Sequence, residues 1–94
     1  MDPQIEFRDI ENPTMRQQAK DLMEDLCQLF PSDAAVKATF RFFQDSFLAE
    51  IKVASESAYM TAVDQAGALG DALSRVKEKM MGQIIDWRIH RFAS

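Results

Sequence analysis

The 94-residue chain holds one cysteine, one histidine and one tryptophan, with only three glycines and three prolines. Cys27, being alone, excludes an internal disulfide framework and any multi-cysteine zinc site. A Cys–His catalytic pair would need both Cys27 and His90, and neither lies in a supporting motif. No phosphate-cradling glycine loop, nucleophile–base pair or metal-ligand spacing occurs. Asp21, Glu24 and Asp25 crowd together, but without a glycine-containing loop to present them they read as a solvated helix face. No apolar run approaches the ~18–20 residues of a membrane span. Residues 1–20 carry acids where a secretory signal needs an apolar stretch. These absences point to a cytoplasmic, non-catalytic binding domain with no cofactor, no metal, no membrane partner and no small-molecule substrate.

What is present suffices for one core. Hydrophobic residues make up 47% of the chain, so residues 1–94 are expected to form a single domain, with 83–94 as a C-terminal extension. The net charge of −4 is unevenly spread. Residues 1–34 are acidic, whereas residues 75–94 set Arg75, Lys77, Lys79, Arg88 and Arg91 against only Glu78 and Asp86. A local basic region can dock on a polyanion despite an acidic total, because charges beyond a Debye length are screened.

Periodicity supplies the elements. Residues 4–10 alternate, with Ile5 and Phe7 opposed to Glu6 and Arg8, as a half-buried strand does. Asn12-Pro13 reads as a helix start, and Met15, Ala19, Leu22, Met23, Leu26, Leu29 and Phe30 recur at helical spacing. A helix is expected over 13–30, ended by Pro31. Residues 36–43 and 47–54 return to period two on either side of a turn at Gln44-Asp45-Ser46, which is the pattern of an antiparallel hairpin. A last helix, capped by Ser55 or Ser57, is expected to run Val63, Ala66, Leu69, Leu73, Val76, Met80, Ile84 and Trp87 along its apolar stripe. Gly67 and Gly70 would let it approach the sheet closely, and Gly82 would end its packed part.

The order is therefore β-α-β-β-α, an α+β two-layer sandwich whose small, mostly antiparallel sheet carries both helices on one face. Glu6, Arg8, Lys37, Thr39, Arg41, Glu50 and Lys52 are expected on the opposite face. A sheet this small leaves an open edge, which a partner chain could fill with a further strand.

The segment Tyr59-Met60-Thr61-Ala62-Val63-Asp64, followed by Leu73-Ser74-Arg75 and Lys77-Glu78-Lys79, resembles the last strand and helix of the ribosome hibernation-promoting factors, also called sigma-54 modulation proteins. The length and apolar pattern of residues 15–43 are similar to that family too. The resemblance implies a βαβββα domain that binds the small ribosomal subunit near the mRNA and tRNA channel. It implies regulation of translation in resting or stressed cells, without catalysis. The chain departs from the family in having room for one hairpin between its helices, an acidic first helix, and an apolar-and-arginine ending in place of a lysine-rich one.

The candidate rRNA-phosphate contacts are Arg8, Lys37, Arg41, Lys52, Arg75, Lys77 and Lys79, read through the backbone by counterion release. A second set, Phe43, Leu48, Trp87, Arg88, Arg91 and Phe92, suits partner docking or a homodimer. Two functions remain open at this level. One is a ribosome-associated translation inhibitor; the other is a protein–protein interaction module that keeps the fold without RNA binding.

Overall fold

A computed structural model describes residues 2–92, with side chains through His90. Its elements are β1 (Gln4–Arg8), α1 (Pro13–Cys27), β2 (Ala35–Phe43), β3 (Ser46–Ala54), β4 (Tyr59–Ala66) and α2 (Leu69–Phe92). The four strands form one sheet in the order β1-β2-β3-β4. β1 lies parallel to β2, a pairing that needs a crossover connection, and α1 supplies it. The β2–β3 and β3–β4 pairs are antiparallel.

Local chemistry sets most boundaries. β1 stops where Asp9 takes a φ of 59°, a left-handed conformation that aspartate tolerates better than most residues. Asn12 then caps α1, its Oδ1 accepting from the N–H groups of Thr14 and Met15 at 2.9 and 3.1 Å. Pro13 sits in the first turn, where its missing N–H costs nothing. The β2–β3 turn is two residues, Gln44 and Asp45, at φ 51° and 60°. Two left-handed residues in sequence match the twist of the flanking strands and set the register Phe43↔Ser46, Phe42↔Phe47.

Both helices cover one sheet face, as expected. From the sheet come Val36, Ala38, Phe40, Ala49, Ile51, Val53, Met60 and Ala62; from α1 come Ala19, Leu22, Met23 and Leu26; from α2 come Leu69, Leu73, Val76, Met80 and Ile84. Among the described residues no polar or charged residue is buried, so apolar contact supplies the core's cohesion. Cys27 packs against this core as a small hydrophobe, and burial pushes its thiol pKa up.

The α+β sandwich stands, but its strand order is corrected by one strand. Residues 59–66, expected as the opening of the last helix, form β4, and the order is β-α-β-β-β-α. Ser55 and Ser57 accordingly cap no helix. Ser55 closes the β3–β4 turn instead, its N–H and its Oγ both donating to the Ala58 carbonyl at 2.9 and 3.1 Å. β4 turns Met60, Ala62 and Ala66 inward, while Val63, expected on a buried helical stripe, is 46% exposed on the other face. The further strand that a partner chain could have filled is therefore in the chain itself, as the family resemblance implied.

The glycines are corrected too. Gly67 lies before α2 and Gly70 in its first turn, and a methyl group added at either would meet nothing within 4 Å, so neither serves a close helix–sheet approach. Gly82 does not end the helix, which continues to Phe92. Its position is exposed, mid-helix and equally open. Gly82→Ala should therefore raise unfolding stability by about 1 kcal/mol, read as a higher urea midpoint at unchanged slope.

Candidate nucleic-acid interface

The sheet face away from the helices gathers four of the seven candidate cations. Strand parity puts Gln4, Glu6 and Arg8 of β1 there, with Lys37, Thr39, Arg41 and Phe43 of β2. β3 adds Ser46, Leu48, Glu50 and Lys52, and β4 adds Tyr59, Thr61, Val63 and Gln65. The register orders them in rows across the strands. Gln4, Lys37, Lys52 and Thr61 form one row; Glu6, Thr39, Glu50 and Val63 the next; Arg8, Arg41, Leu48 and Gln65 the third. An acidic row thus separates two basic rows, which lie about 13 Å apart at ~3.3 Å per residue.

The acids consume only part of the positive charge. Arg8 donates to Glu6 at 2.9 Å, and Lys52 stands 3.9 Å from Glu50. Among the described residues no carboxylate comes within ion-pair distance of Lys37 or Arg41. The Arg41 guanidinium instead lies 4.4 Å from the centre of the Phe43 ring, which is 53% exposed. That arrangement holds a cation in place without neutralising it. Phe43 and Leu48, expected as partner contacts, therefore share the face of the expected RNA contacts.

Arg75, Lys77 and Lys79 are not brought together with these four. Arg75 Nη1 donates to the Gln65 carbonyl at 3.1 Å, and Lys79 Nζ to the Val63 carbonyl at 2.9 Å. One turn further on, Gln83 Nε2 donates to the Thr61 carbonyl at 2.6 Å while its Oε1 accepts the Thr61 N–H at 2.9 Å. Side chains at i, i+4 and i+8 of α2 thus match alternate residues of β4 and satisfy the outer border of that strand. Unpaired edges of this kind invite association with other chains, and the helix closes this one. Lys77 lies on the other flank of the helix at 100° per residue, with Met81 and Arg88.

Lys79 also meets Asp64 at 3.1 Å. That hydrogen bond, with a second from the Gln65 N–H, holds the Asp64 carboxyl below its ordinary range. A carboxyl with a depressed folded-state pKa stabilises the protein above its unfolded value, near 3.9, and loses that contribution as pH falls through the folded value. Asp64→Asn should therefore be less stable than the parent at pH 7, with the difference shrinking as pH falls below the unfolded carboxyl value and through the lower folded one, as read from urea melts across that range.

The remaining candidates scatter. Trp87 is half-buried, its Nε1 donating to Ser57 Oγ at 3.2 Å, which ties α2 to the β3–β4 turn. Arg88 is exposed, and the side chains of Arg91 and Phe92 lie outside the described residues. His90 is exposed, with Nδ1 placed 2.8 Å from the Asp86 carbonyl. Among the described residues no three His, Cys, Asp or Glu side chains gather as a metal would require, and Asp21 accepts from Gln17 at 2.8 Å. Among those residues, too, no helix is long and apolar enough to cross a membrane. The sequence reading missed Tyr59, the most exposed of the large hydrophobic side chains at 69%. Its signal was present, since Tyr59, Thr61, Val63 and Gln65 alternate with Met60, Ala62 and Ala66.

This arrangement of sheet and helices recurs in solved structures. A ribosomal subunit interface protein from Coxiella burnetii superposes with a TM-score of 0.73 at 12% identity, covering 94% of this chain and 98% of that one. The N-terminal domain of Thermus thermophilus Protein Y does so with a TM-score of 0.73 at 16% identity, covering 90% and 96%. The chain has their fold. The resemblance read from residues 59–79 is thus borne out at the level of architecture, the third strand of the β2–β4 meander included. No family model and no curated protein matches the chain. The likeness therefore resides in topology and apolar pattern rather than in shared residues.

Proposed function

We propose that the protein is a cytoplasmic, ribosome-associated factor that regulates translation without catalysis. It lays the outer face of its sheet on rRNA of the small ribosomal subunit. The carrying observation is that face: Arg8, Lys37, Arg41 and Lys52 project from it in two rows, on a molecule of net charge −4. Support comes from the near end-to-end match in fold to a protein named a ribosomal subunit interface protein. Phosphate contacts need cations that are positioned but not neutralised, and Lys37 and Arg41 meet that need. Arg75 and Lys79 play a secondary part, because they must release β4 before they can reach a phosphate.

Sedimentation with purified small subunits at low salt tests this. The wild-type protein should pellet with the subunit, and the Lys37→Glu/Arg41→Glu variant should remain in the supernatant. Equal pelleting of the two proteins, or none by the wild type, would overturn the reading.

A further inference from the structure

Between the basic row at Lys37 and Lys52 and the loop before β2 lies a cleft of about 540 Å³, within the range of small-ligand sites. Its lining is ordered along the strands. Lys37 and Lys52 are direct cross-strand partners, with Gln4 beside Lys37. Two residues along, about 6.6 Å away, come Ala35, Ala54 and Tyr59. Ser32 and Asp33 close the far end.

Each part has a physical reading. Like charges placed directly opposite on a ladder repel; Glu50, 3.9 Å from Lys52, offsets part of that repulsion, and an anion seated between the two lysines offsets more. Ala35 and Ala54 are small and exposed, so they leave a flat floor. Tyr59 stands over it 69% exposed, and among the described residues its ring makes no aromatic contact and its hydroxyl no hydrogen bond. An exposed ring beside a flat floor suits base stacking. Asp33 Oδ2 accepts the Glu56 N–H at 3.0 Å, which engages that carboxylate, and Asp2 is the other acid of the lining. A nucleotide runs phosphate, ribose, base, and a cationic end followed by a flat floor, an exposed ring and polar groups beyond offers places for its phosphate and for a base whose edge carries hydrogen-bonding atoms.

We infer that this cleft binds one nucleoside phosphate, its phosphate held between Lys37 and Lys52 and its base stacked on Tyr59. The assignment rests on the proposed function for its source, an unpaired rRNA nucleotide; a free nucleotide offers the same chemistry.

Amide-resolved NMR titration of the full chain separates these cases. AMP should shift the resonances of Lys37, Ala54 and Tyr59, while adenosine or inorganic phosphate alone should bind about tenfold more weakly. Lys37→Ala/Lys52→Ala and Tyr59→Ala should each weaken AMP about tenfold, whereas Tyr59→Phe should keep the affinity. Tighter binding of an oligoadenylate hexamer than of AMP identifies the ligand as RNA; AMP binding as tightly as the hexamer identifies a free nucleotide. Absence of shifts with both probes at millimolar concentration overturns the site, as do shifts that survive the alanine variants. Subunit pelleting by a protein that fails this titration would remove the cleft and keep the ribosome reading. A positive titration without pelleting would do the reverse.

Discussion

Phe40→Ala should cost about 3–5 kcal/mol, a large share of the ~5–14 kcal/mol total stability expected for 94 residues. Phe40 is fully buried at the centre of β2. Its ring stacks on Phe7 of β1 at 5.6 Å between centroids, and Ala49 is its partner on β3. Ala19, Ala38 and Ala49 are themselves fully buried. Ala49 opposite it and Ala38 on the same face of β2 are methyl groups that cannot swing into the hole its removal leaves. The urea midpoint should fall sharply at unchanged slope. Phe42→Ala, two residues along and half-buried, should cost less; the opposite ranking would move the centre of the core toward the hairpin end.

The second large effect concerns salt. If Arg8, Lys37, Arg41 and Lys52 each replace one condensed counterion on rRNA, the logarithm of affinity falls with that of salt at a slope near −3.6. Moving from about 50 to 200 mM salt should then weaken subunit binding roughly a hundredfold. Arg41→Ala should lower the slope by about one unit as well as the affinity, which separates a phosphate contact from a packing defect. A slope near zero would contradict the phosphate reading even if binding persisted.

Much of this architecture can be read from residue order because local and global signals agree. Asn12-Pro13 starts a helix and then caps one, and the parity of residues 36–54 places Lys37, Arg41 and Lys52 outward, as found. The alternation of β4 was outweighed for a physical reason. Residues 59–66 carry alanine and methionine, which suit a helix, and Asp64 interrupts the inward apolar alternation. Pairing with β3 decides the matter, an interaction between segments that local preference does not register. The misreading propagated to the site. Arg75 and Lys79, exposed as they are, look like unengaged cations only while the strand whose carbonyls they contact goes unrecognised. Gly67 was the available boundary signal, since it falls between the strand and the helix.

The ladder from Arg75, Lys79 and Gln83 onto Thr61, Val63 and Gln65 has a consequence for self-association. With β4 stoppered along Thr61–Gln65, the sheet edge left open among the described residues is the β1 flank, paired to β2 alone. Two copies joined flank to flank present a stopper at each extremity, and nothing remains for a third to grip. Growth by strand addition terminates at the pair, and a fibre would first require the carboxyl-terminal helix to let go.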